Sequence, residues 1–154
     1  MNAMDVIQTR HLFNMPMKVE RRNVGQTPFA NRSVITVTEA RIDCERLRAR
    51  LLPGGVDWVM ESAEGVRMLD CRLLFQTDDG ALLAMRYQGL RHSSPEVAAQ
   101  ISRGEPVDPA QIYHRVAIFF ETAAPRYDAF NRMLAIGRAR PRPDGGLYQV
   151  FEVL

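Results

Sequence analysis

Short apolar runs with a two-residue period recur along almost the whole chain of 154 residues. Such alternation places neighbouring side chains on opposite faces of a β-strand. Glycine turns at Gly54, Gly65, Gly80 and Gly145 separate several of these runs. Eight or nine short strands indicate an all-β barrel or sandwich. We predict a closed, mostly antiparallel β-barrel, because closure removes the exposed edges of the sheet. The predicted strands cover residues 11–19, 33–38, 44–52, 57–62, 66–76, 81–88, 112–122, 132–139 and 147–154.

One connection, residues 90–111, is longer than a hairpin needs. Within it, Ser94 is typical of an N-cap, Pro95 of a first helical position and Gly104 of a helix end, which predicts a short helix. This segment either caps one mouth of the barrel, lies at a subunit contact or is a surface excursion. A second short helical turn is predicted at 125–132. With neither repeats nor linkers, residues 1–154 are expected to form a single domain.

Composition and motifs argue against several classes of protein. A net charge of +2 is too small to indicate nucleic-acid binding, and no apolar run approaches the ~20 residues of a membrane span. The N-terminal stretch does not resemble a signal peptide. The two cysteines and three histidines show neither redox nor metal-ligand spacing. Nucleotide-binding and nucleophile motifs are also absent. We therefore expect a cytoplasmic protein with no metal or other cofactor, whose partner is a small molecule.

The hairpin of residues 66–88 gives the first candidate site. If Asp79 and Gly80 form a two-residue turn, Arg72 lies opposite Tyr87 and shares a face with Asp70. Leucine and methionine surround these polar groups, which is typical of a small-ligand pocket. Alternatively, Asp70 and Arg72 form a structural ion pair, since buried charges must be paired whatever their function.

The strand of residues 112–122 gives further candidates. Tyr113 and Glu121 share one face, and His114 shares the other with valine, isoleucine and phenylalanine. A carboxylate at the rim near aromatic rings is suited to a general acid or base, so Glu121 is either catalytic or a cap of the following turn. Trp58, the only tryptophan, either packs in the core or forms a stacking wall for a ligand ring.

Five sequence blocks resemble an uncharacterised β-barrel family, the domain of unknown function DUF 3237. They are LPGGVDW (52–58), LDCRL (69–73), TDDGALLAMRYQG (77–89), FFETAAPRYDAFNRMLAIG (119–137) and GLYQVFEVL (146–154). The resemblance runs from Leu52 to the C-terminus, whereas residues 38–45 depart from the family's glycine-rich pattern. It implies a closed barrel and a homo-oligomer, but no reaction. Motif positions that it highlights are Trp58, Asp70, Arg72, Glu121, Tyr127 and Asn131.

Three functions are compatible with these residues. The first is a cofactor-independent isomerase, cyclase, lyase or hydrolase acting on a small, oxygenated, partly apolar compound. In it Arg72 would hold an oxyanion, Tyr87 or Tyr113 would donate a hydrogen bond, and Glu121 or Asp70 would move the proton. The second is a non-catalytic carrier that uses the same cavity, with Trp58, Tyr127 and Asn131 among its ligand contacts. The third is a structural protein whose barrel is filled by its own side chains.

Overall fold

A computed structural model describes residues 5–154. Residues 1–4 lie outside this range. They begin the N-terminal stretch that was compared with a signal peptide. The described part of the chain forms nine strands: β1 (Thr9–Gln26), β2 (Asn31–Cys44), β3 (Leu47–Leu51), β4 (Gly55–Glu61), β5 (Arg67–Thr77), β6 (Leu82–His92), β7 (Tyr113–Glu121), β8 (Ala135–Arg142) and β9 (Gly145–Val153).

The strands pair antiparallel in the order β1-β9-β8-β7-β6-β5-β3-β2, and a further pairing of β1 with β2 closes the ring. Strand β4 shares its place in the ring with β3. The first half of β2 pairs with β4 and the second half with β3. On their other edges, β3 and β4 both pair with β5. The predicted closed antiparallel barrel is confirmed.

The predicted helix forms as α1, Pro95–Ser102. The Ser94 hydroxyl accepts a hydrogen bond from the Val97 backbone N–H at 3.2 Å, which satisfies one of the free N–H groups of the first turn. Gly104 follows the helix with φ +71°, a conformation that favours glycine. A 3-10 helix, Pro125–Arg132, forms where the second turn was predicted, and a further 3-10 turn covers Pro109–Gln111. No helix within residues 5–154 is long and apolar enough to span a membrane.

The interior of the barrel changes character along its axis. At one end it is packed with apolar side chains, which include Phe13, Met15, Phe75, Leu83, Met85 and Phe120. Towards the other end the inward positions of β6 become Tyr87, Gly89 and Arg91. Gly89 lies where a Cβ atom would be 2.1 Å from the Arg115 carbonyl oxygen, so only glycine lets β7 approach this closely. The sequence thus fills half of the barrel with apolar side chains and leaves polar groups inside the other half.

Candidate functional site

The turn between β5 and β6 differs from the predicted one and reverses the faces of the hairpin. It contains three residues, Asp78, Asp79 and Gly80, because the Thr77 N–H donates to the Ala81 carbonyl at 2.9 Å. Gly80 takes the positive φ (+85°) that three-residue hairpin loops favour. A shift of one residue moves every side chain of the strand to the opposite face. The prediction that Arg72 and Tyr87 share a face is therefore wrong.

The observed register pairs Cys71 with Tyr87 and Arg72 with Arg86. Tyr87 consequently points inward and is 1% exposed, whereas Arg72 points outward. Asp70 lies on the same outer face, and no ion pair joins it to Arg72 in the described residues. Glu121 is also exposed. The structure does not bring Asp70, Arg72 and Glu121 together with Tyr87, and their catalytic roles stay predictions.

Two aromatic candidates lie on the outside of the barrel. Trp58 is 53% exposed, so it does not pack in the core. Tyr113 is 45% exposed and stacks on His92 with ring centroids 4.8 Å apart. Neither ring faces the same interior space as Tyr87. Their roles as ligand contacts stay predictions.

Tyr127 and Asn131 hold the 3-10 helix Pro125–Arg132 in place. The Tyr127 hydroxyl donates to Asp79 Oδ1 at 3.0 Å, which ties this helix to the β5–β6 turn. The Asn131 side chain accepts from the Thr122 N–H at 2.8 Å and donates to the Thr122 carbonyl at 2.9 Å. These bonds give both residues a structural task, and their predicted ligand contacts stay predictions.

A partly enclosed cavity of about 110 Å³ lies at the polar end of the barrel. One wall is apolar and comes from β1 and β2. Small residues of β8 and β9, among them Ala139, Gly145 and Gly146, leave the space open. The polar residues of the cavity lining are the exposed Arg140 and five groups on inner faces of the barrel, Asp57, Tyr87, Arg91, His114 and Tyr148. Of the residues selected from the sequence, only Tyr87 is among them.

Asp57 is the carboxylate of this cavity. Strand β4 alternates Gly55, Asp57 and Val59 on its inner face, and Asp57 is 4% exposed. Burial raises the pKa of Asp57 to about 6, and the nearby charge of Asp70 adds to this effect. The Asp70 backbone N–H, which donates to Asp57 Oδ1 at 3.0 Å, acts in the opposite direction.

The second carboxylate oxygen of Asp57 is free to meet a ligand. Oδ2 makes no hydrogen bond with residues 5–154, yet no fully enclosed side-chain oxygen or nitrogen of these residues lacks a partner. Oδ2 is therefore accessible from the cavity. A carboxylate anchored through one oxygen, with the other open, has the geometry of a general base.

Two tyrosines and a histidine form a chain of polar contacts beside Asp57. The hydroxyls of Tyr87 and Tyr148 are 3.3 Å apart, and the Tyr148 hydroxyl is 3.2 Å from His114 Nε2. Burial raises the pKa of both phenols above their usual value. Burial, followed by the charge of Arg91, lowers the pKa of His114 to about 3. Both phenols thus keep their protons near neutral pH, and the imidazole is uncharged.

Arg91 of β6 is the cross-strand neighbour of Arg67 on β5 and of His114 on β7. Burial and the charge of Arg67 lower the pKa of the Arg91 guanidinium. Arg67 itself forms an ion pair with Glu61 at 2.6 Å. No hydrogen bond or ion pair joins Arg91 to any other side chain in the described part of the molecule. The cavity thus contains a cation without an acidic partner.

Sequence reasoning missed Asp57, Arg91, His114 and Tyr148 as site residues, although the alternation pattern contained them. His114 heads the apolar face Val116, Ile118 and Phe120, so a polar group belonged to the barrel interior. Asp57 interrupts the inner face of β4 in the same way. Alternation along β6 places Arg91 on the same face as Tyr87, which the sequence had already selected. The five groups come from four strands, β4, β6, β7 and β9, and their proximity depends on barrel closure.

Across residues 5–154, no group of three or more histidine, cysteine, aspartate or glutamate side chains is placed to hold a metal ion. The polar groups of the cavity instead suit proton transfer and the binding of oxygen atoms.

A family model described as "Protein of unknown function (DUF3237)" matches residues 7–153. The match extends well beyond the blocks after Leu52 that carry the resemblance in sequence. A curated relative, a UPF0311 protein from Rhodopseudomonas palustris, is 28% identical over 149 residues, which cover 96% of this chain and 97% of the relative. The crystal structure of that conserved protein of unknown function has a TM-score of 0.90, covering 97% of this chain and 99% of the other.

Two further crystal structures share the fold. A β-barrel-like protein from Acinetobacter baumannii AYE is 29% identical, with a TM-score of 0.82 and coverage of 97% of both chains. A protein described as an enzyme from Penicillium herquei has a TM-score of 0.72 at 17% identity, covering 96% of this chain and 95% of that one. At that identity the similarity concerns the fold alone.

Proposed function

The chain belongs to the family of proteins of unknown function DUF3237, and from that premise we propose that it is an enzyme that moves protons on a small, oxygenated, partly apolar molecule. The reaction class is isomerisation through an enolate, and the site is the cavity lined by Asp57, Tyr87 and Tyr148. The observation that carries this proposal is the buried carboxyl of Asp57, whose pKa is about 6. It lines the same cavity as two phenols that remain protonated.

Asp57 acts as the general base. A catalytic base works best when its pKa lies near the working pH, because it is then both ionised and able to hold the proton it takes. The Asp57 carboxylate removes a proton from the carbon next to a carbonyl group. The bonding electrons of that C–H bond form the enolate, and the Asp57 carboxylic acid returns the proton to a different carbon.

Tyr148 and Tyr87 stabilise the oxygen on which negative charge develops. When Nε2 of His114 carries its hydrogen, it donates to the Tyr148 hydroxyl. The Tyr148 hydrogen is then available to the substrate oxygen. Hydrogen-bond donors held in place in a low-dielectric site stabilise a developing oxyanion more strongly than water does.

A non-catalytic carrier is the alternative use of the cavity. A carrier gains nothing from a desolvated acid, and the raised pKa of Asp57 corresponds to about 3 kcal/mol of lost stability above pH 6. Groups that reduce stability in this way are typical of catalytic sites. The Penicillium herquei protein indicates only that this fold is compatible with enzymatic activity. Homo-oligomeric assembly and a cytoplasmic location stay predictions.

The experiment uses 3-cyclohexen-1-one, a small cyclic ketone whose double bond moves into conjugation when a proton is transferred. Ultraviolet absorbance follows the conjugated product, and ¹H NMR in D₂O follows proton exchange. The wild type should accelerate the reaction, with kcat/KM rising through about pH 6 as Asp57 ionises. Asp57→Asn should lower the rate by about 10²- to 10⁴-fold.

Asp70→Asn is the matched control, because Asp70 is also a strand aspartate but faces the outside. It should keep the wild-type rate to within a few-fold. Equal rates for wild type and Asp57→Asn would refute the role of Asp57. A large loss in Asp70→Asn alone would instead make Asp70, the base first considered from the sequence, the proton-transfer residue, on the outer face where the structure has it.

A further inference from the structure

The guanidinium of Arg91 is the feature of the cavity that proton transfer by Asp57 leaves unexplained. It lies on the inner face of β6, towards the end of the barrel, and lines the cavity. Its cross-strand neighbours are a second arginine, Arg67, and the uncharged His114. Glu61 is already paired with Arg67, and no ion pair in the described residues joins Arg91 to Asp57, the carboxylate of the cavity. Arg91 is therefore surrounded by groups that do not neutralise it.

Arg21 adds a third positive charge to this end of the barrel. Its guanidinium donates to Asn23 and Ser33, both of which are neutral. The charges of Arg21 and Arg67 both oppose that of Arg91. With Asp57 ionised above about pH 6, three arginines face two carboxylates, Glu61 and Asp57, which leaves an excess of about one positive charge. Burying a cation without a partner is costly, and an anion that enters the cavity removes much of that cost.

We propose that the natural substrate carries an oxyanion group, a carboxylate or a phenolate, that binds to Arg91. The planar guanidinium presents paired N–H donors that match the two oxygens of a carboxylate. The apolar wall of Met17, Val19, Ile35 and Val37 covers the carbon skeleton of the ligand. A volume of about 110 Å³ equals that of about four water molecules, which limits the enclosed part of the ligand to at most a single ring.

The position of the oxyanion fixes how the substrate lies. Arg91 and Asp57 belong to β6 and β4, which are separated by β5, and Tyr148 interacts electrostatically with both. The anionic group on Arg91 directs the opposite end of the ligand towards Asp57. This inference rests on the proposed function for the identity of that end, but binding of the anion does not require turnover.

The test measures binding of ring compounds that differ in charge, by calorimetry on the intact protein. Benzoate carries a carboxylate, 4-nitrophenolate carries a phenolate and benzamide is a neutral analogue of benzoate. The wild type should bind at least one anion 10-fold or more tightly than benzamide. The tighter of the two anions identifies which oxyanion the substrate carries. Equal binding of all three compounds, or no binding of either anion, would overturn the proposal.

Variants on one strand provide the second readout. Arg91→Gln should weaken binding of the preferred anion by about 10- to 100-fold, and Arg91→Lys should restore part of it. Arg86→Gln is the matched control, because Arg86 lies on β6 but faces outward over the Phe119 ring. It should bind as the wild type does. Unchanged anion binding in Arg91→Gln would refute the assignment even if Arg86→Gln behaves as expected.

The same compounds separate this inference from the proposed function. Benzoate has no proton next to a carbonyl carbon that Asp57 could remove. Tight benzoate binding in a protein that does not isomerise 3-cyclohexen-1-one would support the anion site and refute the enzyme. Isomerisation of 3-cyclohexen-1-one by a protein that binds neither anion more tightly than benzamide would support the enzyme and refute the anion site.

Discussion

Replacing Asp57 with asparagine should stabilise the protein increasingly as the pH rises. In the wild type, burial raises the pKa of Asp57 from its reference value of 3.8 to about 6. Between these values the unfolded chain loses the Asp57 proton while the folded protein keeps it. This carboxyl therefore contributes most to stability below pH 3.8, and its contribution is lost as the pH rises through about 6. Asparagine does not titrate and is free of this loss.

The size of the effect follows from the two pKa values. Their separation corresponds to about 3 kcal/mol when the group is ionised in both states. About 2 kcal/mol of this develops between about pH 4.5 and about pH 8. The asparagine amide brings its own hydration and hydrogen-bond changes, but those do not vary with pH. The informative quantity is the change with pH in the stability difference between the variant and the wild type.

Urea unfolding followed by far-ultraviolet circular dichroism measures this quantity at each pH. Asp57→Asn should gain about 2 kcal/mol on the wild type between the two pH values. Asp70→Asn, in which an exposed aspartate is replaced, should gain less than about 1 kcal/mol. A stability difference between Asp57→Asn and wild type that stays constant with pH would show that the carboxyl is not desolvated. The reasoning from burial to catalysis would then fail.

Three further outcomes follow from the contacts described. Gly89→Ala should destabilise the barrel by at least about 2 kcal/mol in urea unfolding, because its Cβ would meet the Arg115 carbonyl oxygen at 2.1 Å; a neutral substitution would contradict this packing. Tyr127→Phe should cost about 0.5–1.5 kcal/mol through the lost hydrogen bond to Asp79 and leave isomerisation unchanged, whereas a loss of turnover would move Tyr127 into the site. The His114 ring should show no NMR titration between about pH 5 and about pH 8, because burial holds its pKa near 3; a midpoint near 6.5 would place the ring in water.

His114 also affects how the pH dependence of the wild type is interpreted. Its folded pKa lies below its reference value of 6.5, so its contribution to stability is lost as the pH falls from 6.5 towards 3. Asp57 acts in the opposite direction over part of the same range. The two effects partly cancel in the wild type. Only the difference between Asp57→Asn and wild type isolates the carboxyl.

The fold was predictable because its determinants are local. Two-residue alternation and turn glycines locate the strands, and the Ser94–Pro95 pair locates the start of α1. Strand identity does not require the register to be known. A barrel of about nine strands follows once these short runs must bury their apolar faces without exposed edges.

The site was less predictable because it depends on register and closure. One extra turn residue, Asp78, exchanges the faces of β5 and β6 and moves Arg72 outside. The partners of Tyr87 then come from β4, β7 and β9, which no local pattern connects. The useful clue was a polar residue within an inward apolar series, as at Asp57 and His114. Such a residue indicates which end of the barrel interior is polar, but it does not indicate which side chains meet there.

The most direct test of the proposed site is the pKa of the Asp57 side chain itself. Carbon-13 labelling of the aspartate carboxyls allows each to be titrated by NMR, and the resonance that disappears in Asp57→Asn identifies this group. We expect its titration midpoint at about pH 6. A midpoint near the reference value of 3.8 would show a solvated carboxylate and contradict an active site inside the barrel.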